Sequence, residues 1–330
     1  MIEIPNFADR LCEAIRKKKS ILCCGLDPQL CYMPPHLIRT AVEELGRTYS
    51  AVGRVFVNFN RQIIDAVADI VVCVKPNFAF YEAYGVDGMI ALEDTIAYAK
   101  GKGLLVIGDG KRNDGGDTVD AYADGHLGEV PFFGDGDDPA VLKSVVSPFR
   151  VDALTVNGYI GEACVGPFVK KVKEHGSGIF VVAKTSFKPD SVIEQLVVAG
   201  VPAWQAMAFY VQKWGEGTEG SCGLRNVGVV LGATYPQDAP KMRELLPDSI
   251  FLVPGFGGQG ATADDAVIGV REDGLGAVVN NSRNLIYAWR NPKGEYQCES
   301  EKFAEAARLQ ALHDCGMLRE SCQKASKWPF

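Results

Sequence analysis

Residues 104–118 read LLVIGDGKRNDGGDT, so an apolar run passes straight into Asp109, Lys111, Asp114 and Thr118. The same transition recurs. ILCCGLD closes on Asp27, IVVCVKPN on Lys75 and Asn77, and IFVVAKTS on Lys184 and Ser186. A single charged stop is the ordinary way for a buried strand to meet water. Several acids and lysines at corresponding strand ends form a constellation, because converging charges that leave water must pair. Alternating ammonium and carboxylate groups keep one another ionised and restrict one another's freedom. Asp109 and Lys111 are two apart, so on an extended strand end both point the same way.

Two later runs add anion chemistry. FLVPGFGGQGAT is glycine-rich just past a strand, which lets backbone N–H groups approach an anion. VVNNSRNLIY puts Ser282 and Arg283 past the last strand, where a guanidinium offers phosphate oxygens a permanently charged fork. Gly255, Gly257 and Gly260 also satisfy G-x-G-x-x-G, yet the dinucleotide fingerprint wants an acid about 20 residues on, where this chain has Asn280 and Asn281. None of His36, His126, His175 and His313 lies at a strand end, so neither a histidine base nor a histidine-rich metal site is supported. GDGDDP at 134–139 resembles the start of a calcium loop, but the glutamate that should close the loop is replaced by Val146, and a solvated turn fits better. Asn157, in TVNGYIG, is either a site residue or a turn-stabilising asparagine.

The elements that must hold these groups are continuous apolar or β-branched runs at 20–27, 71–76, 104–109, 152–157, 178–184, 227–234, 249–255 and 276–282. Unbroken runs are what strands covered on both faces look like. Amphipathic stretches separate them; in VPAWQAMAFYVQKW, Trp204, Met207, Ala208 and Val211 share one helical face. Alternation of eight such strands with helices predicts an α/β fold, a closed (β/α)8 TIM barrel with its active site at the C-terminal strand ends. In such barrels the loops after the seventh and eighth strands often grip phosphate. With no Pro/Gly/Ser linker, residues 1–330 read as a single domain. Length beyond the usual barrel goes into loop insertions, HLGEVPFFGDGDDPAVLKSVVSPFR and GEGTEGSCGLRN, and into a C-terminal helical extension near 300–315. Ser300 would cap that helix, and Phe303, Ala306, Leu309 and Leu312 would seat it.

Composition narrows the class. A hydrophobic fraction of 47% supports a sizeable core, while no apolar run reaches the ~18 residues of a membrane span. The N-terminal MIEIPNFADRLCEAIRKKKSILCCGLD has no small-residue cleavage site after its short apolar run, so a cytoplasmic protein is expected. Ten cysteines without a C-x-x-C pair read as reduced thiols, and the neighbours Cys23 and Cys24 point to opposite strand faces. A formal charge of −7, with no basic stripe longer than RKKKS, argues against nucleic acid as a partner.

Asp109-Gly110-Lys111-Arg112-Asn113-Asp114 matches D-x-K-x-x-D, and with Thr118 it resembles the longer bacterial-type branch of the orotidine 5′-phosphate decarboxylases. CGLDP, KPNFAFYEAYG, DALTVNGYIG, VVAKTS, VVLGATYP, PGFGGQG and NNSR follow in that family's order across about residues 20–290. The resemblance implies decarboxylation of orotidine 5′-monophosphate to uridine 5′-monophosphate, in pyrimidine biosynthesis, without a cofactor or a metal. It also implies roles. Lys111 would stabilise and then protonate the C6 carbanion, Asp109 would lie against the scissile carboxylate, and Lys75 would complete the array. Asp27 would bind ribose hydroxyls, Ser186 would read the pyrimidine edge, and Gln259 and Arg283 would close on the phosphate. Asp114 and Thr118 would enter a neighbouring subunit's site, making a homodimer with shared active sites. Lys111, between Asp109 and Asp114, would stay an ammonium.

Other readings remain open at this point. Metal-dependent sugar-phosphate decarboxylases and aldolases share D-x-K-x-x-D but need a further strand-end acid for magnesium, where this chain has Lys75. A Schiff-base aldolase using Lys111, Lys75 or Lys184 wants an amine that carboxylate neighbours do not favour. A noncatalytic phosphate binder has little use for a desolvated charge array.

Overall fold

The computed structural model describes residues 6–136, 138, 140–187, 192–292 and 294–330. Eight parallel strands pair in chain order and close on themselves: β1 (Leu22–Leu26), β2 (Cys73–Pro76), β3 (Leu105–Arg112), β4 (Ala153–Val156), β5 (Gly178–Lys184), β6 (Arg225–Leu231), β7 (Ser249–Val253) and β8 (Ala277–Asn281). β8 returns to β1 through Leu22↔Val279, Cys23↔Asn280 and Cys24↔Asn281. Every residue of β1, β2, β4, β7 and β8 is buried, because helices cover the outside while alternate side chains fill the inside. The predicted (β/α)8 barrel is present. β3 runs on past its predicted end to Arg112, and β6 starts earlier, at Arg225.

The first helix, Phe7–Lys18, is capped by the Asn6 side chain, which accepts from the Ala8 and Asp9 N–H groups. Its Phe7 meets Phe180 edge-on with ring centroids 6.0 Å apart, and Ala8 N–H donates to Asn226 Oδ1 at 2.9 Å. This helix therefore crosses the N-terminal ends of β5 and β6. The helix Ala203–Trp214 buries Trp204, Ala208 and Val211 as its periodicity predicts, with Met207 packed beside them.

The C-terminal helix corrects the sequence expectation. It spans Phe303–Lys324, preceded by a 3-10 turn at Ser300–Lys302, and Ser300 does not cap it; its hydroxyl bonds Glu301 instead. Phe303 and Ala306 are buried, but Leu309 and Leu312 are exposed; the buried stripe continues through Ala307, Ala311, Asp314, Cys315 and Leu318. The stripe drifts because 3.6 residues per turn carries a three-residue spacing off the contact face within a few turns. Phe303 stacks on Phe59 of the long helix Tyr49–Val67 at 5.0 Å, and Arg308 forks onto Asp69 at 2.6 and 2.8 Å.

The first predicted insertion forms an antiparallel hairpin, Glu129–Phe133 with Leu142–Val146, which exposes Phe132, Phe133, Leu142 and Val146. Of GDGDDP, Gly134 to Gly136 follow the first hairpin strand, and Asp137 and Pro139 lie outside the described residues, so the expected solvated turn falls partly outside them. All ten cysteines are free thiols. Among the described residues no helix is long and apolar enough to cross a membrane.

Candidate active site

The end of β3 places Asp109 at the centre of the open barrel mouth. One carboxylate oxygen, Oδ2, accepts from Lys75 Nζ at 2.7 Å and Asn77 Nδ2 at 3.3 Å; the other, Oδ1, accepts from Lys111 Nζ at 2.6 Å and Thr155 Oγ1 at 2.9 Å. Four donors on one buried carboxylate leave it little freedom to move. Lys111 does not reach Asp109 along an extended strand, as the two-residue spacing suggests. It adopts φ +44°, and the β3–β4 register shifts between Gly108 and Arg112. This left-handed conformation costs a side-chain-bearing residue roughly 1–2 kcal/mol. Thr155 offsets the strain, since its hydroxyl donates to Asp109 and accepts the Lys111 N–H at 2.9 Å.

Electrostatics follow from burial and pairing. Burial pushes the Asp109 carboxyl up, but the Lys75 and Lys111 charges overcome it and hold Asp109 well below the usual carboxylate range. Burial likewise disfavours the Lys75 ammonium, and Asp109 with Asp27 more than restores it, so Lys75 stays charged. Burial raises the Asp27 carboxyl against the pull of Lys75. Asp27 Oδ1 and Asn280 Oδ1 are buried without a hydrogen-bond partner. Two such acceptors on a cavity wall suit a ligand carrying hydroxyl donors.

The cavity measures about 410 Å³, within the range of small-molecule sites. β1 to β3 give it a charged wall of Asp27, Lys75, Asp109 and Lys111, whereas Val182, Val230 and Leu252 supply an apolar floor. Ser186, Gln259 and Arg283 also line it. Ser186 is held by its own carbonyl, which accepts from Thr234 Oγ1 at 2.9 Å. A Cβ at Gly232 would lie 2.5 Å from the Thr185 carbonyl oxygen, so that position requires glycine.

The glycine-rich loop differs from expectation. Gly255, Gly257 and Gly260 all have positive φ. However, the N–H groups of Gly257, Gly258 and Gly260 bond carbonyls within the loop itself, to Ala261, Phe256 and Gly257. Those three amides are therefore not free to meet an anion, whereas the Gln259 and Arg283 side chains line the cavity.

Seven of the nine residues singled out from the sequence thus line one cavity: Asp27, Lys75, Asp109, Lys111, Ser186, Gln259 and Arg283. Asp114 and Thr118 do not. Asp114 accepts from the Gly115 N–H, and Thr118 is exposed on the helix Gly116–Leu127, so Asp114 does not flank Lys111 within one chain. Asn157 is a turn asparagine, its Oδ1 accepting the Tyr159 N–H at 3.0 Å. Lys184 is wholly buried between Glu194 and Asp238, each at 3.7 Å, with the Tyr235 ring 4.5 Å away. Thr155, Asn280 and Asn281 line the cavity without having been picked out as site residues, because small polar residues on a strand carry no signal of which face they take. Among the described residues no cluster of three or more histidine, cysteine, aspartate or glutamate side chains is placed to hold a metal.

Residues 22–297 match the model of the orotidine 5′-phosphate decarboxylase / HUMPS family. The chain belongs to this family. It is 39% identical to the orotidine 5′-phosphate decarboxylase of Rhodopirellula baltica over 93% of this chain and 97% of that one. With the Caldicellulosiruptor bescii enzyme of the same name it shares 37% identity over 87% and 91% of the two chains. The fold superposes on Leishmania donovani OMP decarboxylase with a TM-score of 0.67 and 25% identity, covering 94% of this chain and 99% of the other. The family match ends before the C-terminal helix begins.

Proposed function

We propose that this chain decarboxylates orotidine 5′-monophosphate to uridine 5′-monophosphate and carbon dioxide, the reaction named for its relatives, in pyrimidine biosynthesis in the cytoplasm. The observation that carries it is the alternation Lys75–Asp109–Lys111, with Lys75 and Asp109 buried and Lys111 half exposed, set against an apolar floor. The pyrimidine would rest on that floor with C6 facing Lys111. When the C6–carboxylate bond breaks, its electron pair stays on C6, and the fixed ammonium of Lys111 stabilises the developing charge before giving C6 a proton. Asp109 would lie against the scissile carboxylate, the unpartnered Asp27 oxygen would accept a ribose hydroxyl, and Ser186 would meet the pyrimidine edge. Gln259 and Arg283 would hold the phosphate, whose binding energy can be spent far from the reacting carbon.

The sugar-phosphate branch is disfavoured by the second strand, where Lys75 places an ammonium on Asp109 in the position a magnesium-binding acid would need. Two observations support a homodimer that completes the site. Lys111 is half exposed beside a cavity open to solvent, and Asp114 and Thr118 do not line their own chain's cavity. The apolar residues of the neighbouring hairpin give a second copy a surface to cover.

The deciding experiment follows orotidine 5′-monophosphate by liquid chromatography with purified protein in EDTA, with Lys111→Ala as control. Stoichiometric uridine 5′-monophosphate from the wild type alone is expected. No product from folded protein would move the assignment to the magnesium-dependent sugar-phosphate enzymes, to be assayed with pentulose or hexulose phosphates.

A further inference from the structure

The C-terminal helix lies beyond the residues the family model matches, yet it carries a buried carboxylate directed at the active-site wall. Asp314 is 2% exposed. Its Oδ2 accepts from Asn281 Nδ2 at 2.7 Å, and its Oδ1 accepts from Gln310 Nε2 at 2.8 Å. Asn281 ends β8 and borders two cavities: the active site on one side, beside Gly258, Gln259, Ser282 and Arg283, and on the other a groove that Asp314 itself lines. A Cβ at Gly257 would lie 3.5 Å from Asn281 Nδ2, so this side chain sits directly beneath the glycine-rich loop. Just beyond that loop, Asp264 accepts from Ser321 Oγ of the same helix at 2.5 Å. One helix therefore meets the loop from beneath, through Asn281, and the segment that follows it, through Asp264.

We propose that Asp314 is a positioning residue for the phosphate end of the site, acting through Asn281 to fix the glycine-rich loop and the Ser282–Arg283 turn. An ionised carboxylate only accepts, so it commits the Asn281 amide nitrogen to the helix and fixes which face of that amide meets the cavity. The helix is also held at two places away from Asp314, by Phe303 on Phe59 and by Arg308 on Asp69, so loss of the Arg308 contact alone leaves the Asp314–Asn281 bond in place. The inference rests on the function proposed above, since it presumes a phosphate-bearing substrate.

The test measures steady-state turnover of orotidine 5′-monophosphate and competitive inhibition by inorganic phosphate. It compares wild type, Asp314→Ala, Asp314→Leu and, as a helix-anchor control, Arg308→Ala, each checked by thermal unfolding. Loss of one hydrogen bond to a charged group predicts an inhibition constant for phosphate, and a KM, raised about tenfold in both Asp314 variants with kcat within about twofold. Arg308→Ala should lower the unfolding temperature and leave the phosphate constant unmoved. Asp314→Leu removes both acceptor oxygens and keeps the branched shape, so it carries the test if the alanine variant does not fold. An unmoved phosphate constant in a folded Asp314 variant, or an equal rise in Arg308→Ala, overturns the proposal while leaving the function standing. A wild type that does not turn the nucleotide over overturns the function and this inference with it.

Discussion

The Lys111 N–H donates to Thr155 Oγ1 at 2.9 Å, and the same hydroxyl donates to Asp109 at 2.9 Å. One small side chain on β4 thus fixes both the strained turn that aims Lys111 and the carboxylate it is aimed beside. Thr155→Val keeps the shape and removes both bonds. Turnover should fall by roughly one to two orders of magnitude with a much smaller change in KM, as expected when an interaction serves the transition state. An unchanged kcat would show that β3 holds the turn unaided.

Lys111→Ala removes the ammonium while leaving Gln259 and Arg283 in place. Turnover should be abolished while uridine 5′-monophosphate still binds, as isothermal titration would show. Near-normal turnover would rule out Lys111 as the proton donor.

Arg283→Ala removes the charged fork that lines the cavity. KM should rise by about two orders of magnitude, the scale of a charge-assisted bidentate contact. Steady-state kinetics with an unchanged KM would place the phosphate elsewhere.

Sites completed across a dimer make a distinctive prediction. Subunits carrying Lys111→Ala and subunits carrying Asp114→Ala are each inactive alone, but in a mixed dimer one site has both wild-type residues. About a quarter of wild-type activity is expected from random mixing of two inactive variants, given that half the dimers are mixed and each holds one intact site. No recovery in demonstrated heterodimers would confine each site to one chain.

Burial raises the Asp314 carboxyl from its ordinary 3.8 to about 6, against the hydrogen bonds from Gln310 and Asn281 and the charge of His313. The native state therefore binds this proton more tightly than the unfolded chain. The stabilisation from the protonated acid is complete below about pH 4 and is lost as pH rises through about 6, at most about 3 kcal/mol. Asp314→Asn should flatten that loss, so its unfolding temperature should gain on wild type between pH 4 and pH 7. Parallel curves would show that Asp314 titrates normally.

The sequence by itself determined the barrel and the inventory of its mouth. Eight unbroken apolar runs can be covered on both faces only in a parallel α/β arrangement, and such a barrel brings every strand end to one rim. Asp27, Lys75, Asp109, Lys111, Ser186, Gln259 and Arg283 therefore had to be near one another. Sequence also left plain that Asn157 had a turn's chemistry available to it, and it takes that turn. Tertiary structure alone decided how the charges meet. The left-handed turn at Lys111, the register shift beside it and the four donors on Asp109 depend on β2, β3 and β4 together, and no local pattern records which small polar residues face inward. The amides of Gly257, Gly258 and Gly260, available in principle, are taken up by the loop's own hydrogen bonds. The C-terminal helix buries Asp314 rather than Leu312 because its contact face is set by the drift of a real helix against Phe59 and Asn281, a surface assembled from residues more than 30 and more than 200 positions away in the chain.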